Sequence, residues 1–270
     1  MTRPTKPTAM ASQLRRRANR RAQVVTAVVG LAIVVGIWEL VVIGLRPPAV
    51  KLPPPAAVFA TLGHLLASSA FRTDVLVSLR RVVLGWAIGS TAGILVGSLA
   101  GLTRLGKVLL EPSLRFLRFI VPFAWVPIAS VFFGLSEAGK LFITSYASFF
   151  IVAFMAVEGV RAVDPGLIDA GRLLGVNGRM RQWASIRLPA AGPEILTGIK
   201  IGIGFSWISL LVAEMVNATN GIGVVLYTET QYSDTARVLA LVIVIGVIGA
   251  ALNLGVASLA ARLPWTSGSR

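Results

Sequence analysis

Residues 134–141, GLSEAGKL, carry the G-x-x-x-x-G-K spacing with which backbone amides and a lysine cradle phosphate. That chemistry also needs Ser or Thr after the lysine to hold magnesium, a strand before the loop and a helix opening after it. Here Leu141 follows Lys140, and apolar runs flank both sides. The motif is a decoy. Other reactive sets are missing as well. The chain has one histidine, His64, and no cysteine, so it offers no Ser–His–acid triad, no thiolate and no H-E-x-x-H zinc pair. Two carboxylates, Glu39 and Glu214, sit inside apolar runs, where charge is costly and a partner or a function is expected.

The segments that must position these groups are long and apolar. Of 270 residues 55% are hydrophobic and 14% charged, with mean hydropathy +0.79, whereas soluble domains carry about 25% charged residues. At about 20 residues per span, this predicts an all-α, polytopic transmembrane bundle of about six spans. They are expected near residues 24–45, 82–102, 108–134, 141–157, 195–216 and 238–260. Residues 1–23 form a basic arm containing RRRANRR, joined to the first span without a signal-peptide cleavage site. Residues 24–260 make up the membrane domain and 261–270 a short tail.

The formal net charge of +15 lies beside the spans rather than along one basic face laced with aromatics, which argues against nucleic-acid binding. It sets topology instead. Lys and Arg gather in the arm, in residues 103–107, in residues 159–193 and in the tail, which puts these segments and both termini in the cytoplasm. Lys51, Arg72, Arg80, Arg81 and Lys140 are left for the outer loops. RPPAVKLPPPAAV breaks regular structure, and a short outer helix near residues 56–69 carries His64 as a surface residue. Gly85, Gly89, Gly93, Gly97 and Gly101 recur at every fourth position, a stripe suited to close helix packing. Pro112, Pro122 and Pro127 should kink or unwind the third span.

Polar groups within the spans are candidates for contact with a passing solute. Ser206, Trp207 and Ser209 either line a polar pathway or bond to neighbouring backbone, and Trp125 is a comparable candidate. Arg118 and Lys200 supply positive potential or snorkel. Glu39 snorkels or pairs with an external arginine. Glu214 reads as a gate or a packing contact, because a bare carboxylate would repel an anion.

Residues 166–189, GLIDAGRLLGVNGRMRQWASIRLP, form a charged island with Asp169, Arg172, Arg179, Arg181 and Arg187. Pro165 can open a helix, the glycines and Asn177 suit a turn, and a second helix from Met180 to Ile186 should break at Pro189. The small residues Ala170 and Gly171 are expected to face outward. On physical grounds alone the island either docks another protein or anchors to anionic headgroups through its arginines.

The island resembles the EAA signature of ATP-binding-cassette importer permeases. Asp169-Ala170-Gly171 stands for E-A-A, Gly175 for the central glycine, and Ile186-Arg187-Leu188-Pro189 for the end of the pattern. Asp and Gly replace Glu and Ala, and the turn after Gly175 carries one extra residue. The stretches WEL, LPPPAAVFATL, VPFAWVPIASVFFGLSEAGKLFI, VEGVRAVDP and GIKIGIGFSWISLLVAEMVNATNGIGVVL are similar to the nitrate, sulfonate and taurine branch of that family.

The resemblance implies a type I importer permease fold in a bacterial inner membrane, carrying a small, anionic solute. It implies two ATPase subunits that bind ATP and Mg, a second permease copy, surrounding lipid and an extracytoplasmic solute-binding protein. No cofactor and no catalysis are expected in this chain. Coupling to the ATPases falls on Asp169, Ala170, Gly171 and Gly175, with Leu173 and Leu174 as apolar plugs. A secondary transporter or channel is the rival reading, but neither an inverted repeat nor an intramembrane ion site is visible in the sequence.

Overall fold

A computed structural model describes residues 9–48, 50–103 and 106–262. The start of the basic arm, Arg104 and the end of the tail lie outside the described residues. Among the described residues the α-helices are α1 (Ala9–Leu45), α2 (Pro55–Ala67), α3 (Ser69–Leu102), α4 (Glu111–Leu117), α5 (Val126–Phe133), α6 (Glu137–Arg161), α7 (Pro165–Leu173), α8 (Arg179–Gln182), α9 (Leu188–Ala190), α10 (Gly192–Asn217), α11 (Ile222–Gln231) and α12 (Thr235–Ala260).

Four of these helices, α3, α6, α10 and α12, are long and apolar enough to cross a membrane, and a fifth crossing exists if α4 and α5 are one broken span. The first expected span, residues 24–45, falls in α1, whose apolar stretch Val29–Leu45 is shorter. The second span begins earlier than its apolar run suggests. Pro55 opens α2, and Ser68 both ends α2 and caps α3 by accepting a hydrogen bond from the Phe71 amide. The helix then continues through Arg80 and Arg81, which were expected in an outer loop. Arg81 is 3% exposed. A polar run after α10, expected only as a connector, contains the helix α11.

The core is the trio α3, α6 and α10. Helices α3 and α6 run parallel, because Gly85 faces Thr144, Gly93 faces Phe149 and Gly101 faces Val160 in rising register. The approach is closest at Gly89 and Gly97, where a Cβ would lie 2.1 Å from the Ser145 carbonyl oxygen and 2.2 Å from that of Ala153. No side chain larger than hydrogen fits there without separating the helices. Helix α10 runs antiparallel to α6, with Gly198 against Met155 and Gly202 against Ser148. The island therefore joins the end of α6 to the start of α10 at one end of the bundle. Helices α2, α11 and α12 pack around Val58, Phe71, Leu241 and Val244 on one flank, while α4 and α5 lie against α6 on the other.

The third expected span is broken. A π-helical turn, Gly106–Leu110, leads into α4, and a 3-10 turn, Pro122–Trp125, leads into α5. The two arms meet at 92°. Proline cannot donate a backbone hydrogen bond, and Pro112, Pro122 and Pro127 all stand at or next to the first residue of a helical piece. At the break the Leu117 carbonyl accepts from the Ile120 amide at 3.1 Å and from the Tyr146 hydroxyl at 2.9 Å.

Candidate functional site

The island opens with Asp164, whose carboxylate accepts from the Gly166 amide, and Pro165 starts α7. The helix ends as glycine-capped helices do: Gly175 takes φ +82°, and the Val176 amide donates to the Gly171 carbonyl at 2.9 Å. Gly178, at φ +93°, supplies a second left-handed position in the same turn. From Arg179 the chain runs through α8, a π-helical segment Trp183–Arg187 and α9, then into α10. The helix runs on through Pro189 and breaks just after it, where α9 ends at Ala190 and a turn at Ala191 precedes α10.

The small residues do not share one face. Ala170 is exposed, but Gly171 is buried, and a Cβ there would lie 2.2 Å from Cδ1 of Ile186. Gly171 thus faces inward, because the turn folds the second arm of the island back over α7. Asp169 is spent locally, accepting from Arg172 at 2.9 Å. The tip of the island is apolar and bare, with Leu173 90% and Leu174 85% exposed.

Charged groups cluster at both ends of the bundle. At the island end, Glu111 accepts from Arg161 and from Arg115, and Arg115 also reaches Glu158 at 3.3 Å. At the far end, Arg81 donates to Glu137 through Nε at 2.8 Å and Nη2 at 2.5 Å, and to Glu214 through Nη1 at 2.8 Å. It also bonds the backbone oxygen and the side-chain oxygen of Asn220, at 2.7 and 2.6 Å. All five guanidinium protons are used. Glu214, 0% exposed, further accepts from Ser78 and from the Gly223 amide. Gly221 must be glycine, since it holds φ +119° with the Glu214 carboxylate 2.5 Å from any added Cβ. Lys140, in the decoy motif, is bonded to Glu137 and the Leu135 carbonyl.

Glu214 is thus a buried lock between α3, α6, α10 and the turn before α11. Arg81, expected in an outer loop, serves Glu214, and no ion pair to Glu39 occurs among the described residues. Sequence reasoning missed Arg81, although its place four residues ahead of Gly85, in step with the Gly85–Gly89 register, could have put it on the same helix. Ser206 donates to the Thr144 carbonyl at 2.9 Å, and Trp207 to the Ile245 carbonyl at 3.2 Å. Ser209 is buried too. Ser206 and Trp207 thus tie α10 to α6 and α12 within the chain. Trp125 packs against Tyr146 at the broken element, with ring centroids 5.6 Å apart.

The break also creates a cleft of about 340 Å³. Its walls are apolar, from Ile120, Phe150, Phe154, Ile201 and Phe205 among others, and its charged residue is Arg118.

A bundle of apolar helices, broken once and carrying an exposed charged island between two core helices, has the form of a transport permease. Residues 89–264 match the family described as binding-protein-dependent transport system inner membrane component, and the chain belongs to that family. It is a multi-pass membrane protein and a permease component of the ATP-binding-cassette class. The taurine transport system permease protein TauC of Escherichia coli is 33% identical over 90% of this chain and 90% of its own. The bicarbonate transport system permease protein CmpB of Synechococcus elongatus is 35% identical over 68% and 66%. SsuC of Bacillus subtilis, named for aliphatic sulfonates transport, is 32% identical over 81% and 79%. A crystal structure of an amino acid ABC transporter with histidines covers 74% of this chain and 95% of its own, at TM-score 0.51 and 19% identity. That likeness concerns the fold alone, and the fold is that of a type I importer permease.

Proposed function

We propose that this chain forms the translocation pathway of an ATP-driven importer for a small anionic solute, and that the island is the element on which a cytoplasmic ATPase acts. Two copies of the permease enclose the pathway, two ATPase subunits bind ATP and Mg below it, and a solute-binding protein delivers cargo from outside. Both chain termini then lie in the cytoplasm. The names of the relatives support the solute class: sulfonates and bicarbonate are anions, and taurine carries a sulfonate group.

The observation that carries this reading is the bare apolar tip, Leu173 at 90% and Leu174 at 85% exposure, on an element tied directly to two core helices. Three residues, 162–164, separate α6 from α7, and the second arm of the island runs into α10. A push on the tip is therefore delivered to α6 and α10 as a rigid-body movement. Seating both leucines in a groove gains roughly 1.5–3 kcal/mol per side chain, enough to hold a lever without making its release slow.

The test is co-purification of the permease with the ATPase of the same importer. An intact complex is expected from the native chain. Recovery of a stable, transport-competent permease that needs no ATPase would refute the reading.

A further inference from the structure

The broken element holds a charge that the packing of the chain does not account for. Arg118 ends α4, and its guanidinium lies 3.9 Å from the Phe154 ring centroid and 4.9 Å from that of Phe119. Among the described residues it forms no ion pair, since the nearby carboxylates Glu111 and Glu158 are taken by Arg115 and Arg161. Phe154 stands seven residues before Arg161 on α6, about 10 Å further into the bundle at 1.5 Å per residue. The cleft beside Arg118 is also bounded by Phe150, Ile201 and Phe205, from the middle of α6 and α10. An unpaired cation at that depth is expensive and marks a functional position, its partner to be named.

The surroundings decide what that partner is. Arg118 to Val121 form a non-helical break between α4 and the 3-10 turn, and irregular backbone at membrane depth does not face lipid. It is buried in protein or lines a water-filled cavity. The flank is thus closed to acyl chains but open to water or a second subunit. The cleft is lined without a carboxylate, so it repels no anion. Its aromatic walls hold the guanidinium by cation–π contact and leave its fork free for an oxyanion.

We propose that Arg118 is the recognition group of the pathway: it receives the anionic head of the passing solute, a monovalent sulfonate or carboxylate-like oxyanion, while the apolar cleft takes the rest of it. This rests on the permease reading above. One positive charge without a cage of further donors suits a transient stop, because a site that binds too tightly would not release its cargo.

The chain has no cysteine, so Val121→Cys in the full-length permease, held in lipid nanodiscs, gives one thiol at the lip of the cleft with Arg118 intact. The probes are two methanethiosulfonates, one ending in a sulfonate and one in a trimethylammonium group. Their rate ratio is compared between V121C and V121C/R118Q, with V121C/R118K as the charge-conserving control. The sulfonate reagent should lose about tenfold in relative rate when Arg118 becomes Gln, the size of local enrichment expected from one focused charge, and Lys should keep most of it. An unchanged ratio, or a thiol that neither reagent reaches, overturns the proposal. Neither result touches ATPase co-purification, so failure of this site and failure of the permease reading remain distinguishable.

Discussion

Arg81 and Glu214 meet at 2.8 Å with side chains 3% and 0% exposed, although 133 positions separate them in the chain. The pair joins α3 to α10 at the end of the bundle away from the island. Glu137, from the start of α6, and Asn220, from the turn before α11, complete the shell around the guanidinium. A buried ion pair stabilises little relative to a well-packed apolar substitute, but losing one partner strands the other.

Arg81→Ala should therefore be far more damaging than its single side chain suggests. It leaves Glu214 buried and charged, and a loss of roughly 3–5 kcal/mol is expected. Thermal unfolding in detergent would show it as a large fall in midpoint. Removing both charges, as in Arg81→Met with Glu214→Leu, should cost less than the two single changes added together.

The glycine stripe gives a second prediction. At Gly97 the Ala153 carbonyl oxygen lies 2.2 Å from an added Cβ, whereas nothing lies within 4 Å at Gly246 on α12. Gly97→Val should separate α3 from α6 and lower stability by roughly 1–3 kcal/mol. Gly246→Ala should be close to neutral. Equal effects at the two positions would show that α3 and α6 do not pack as described.

Much of this arrangement could be read in the residues. Glycine at every fourth position can serve only a helix face, and three prolines in one apolar run cannot leave a straight span, so the stripe and the broken element were both legible. Arg81 was not. Its partners are distant in the chain, and locally it looks like one of several charges before an apolar run. Gly171 was misjudged for a related reason. A residue's outward or inward face in the island depends on how the turn around Gly175 and Gly178 folds the second arm back, and Ile186 covers Gly171 only once that has happened. Arg118 was visible as a charge in a span, but its lack of a carboxylate partner is a fact of packing.

Trp207 tests the role of the polar residues in α10. Its indole donates to the Ile245 carbonyl on α12, so Trp207→Phe removes one hydrogen bond, worth about 1 kcal/mol, and some packing against Gly249. The expected result is a modest fall in melting temperature with solute preference unchanged. A changed preference would move Trp207 into the pathway.

Gly175 separates shape from stability. Its φ is +82°, with open space around it, so Gly175→Val strains the turn by roughly 1–2 kcal/mol without a clash. The bundle should stay folded. In an assembled importer the misdirected tip should let ATP hydrolysis proceed with transport largely lost.

In the proposed mechanism the apolar tip of the island is the handle through which an ATPase moves α6 and α10. Its most direct test is the affinity of the purified permease for its ATPase after Leu173→Ser and Leu174→Ser together. Both side chains are almost fully exposed, so the melting temperature of the permease alone should not move. Binding of the ATPase should weaken by at least tenfold, and ATP-driven uptake should fall with it. A doubly substituted permease that binds the ATPase and drives uptake as the native chain does would show that the tip is not the handle.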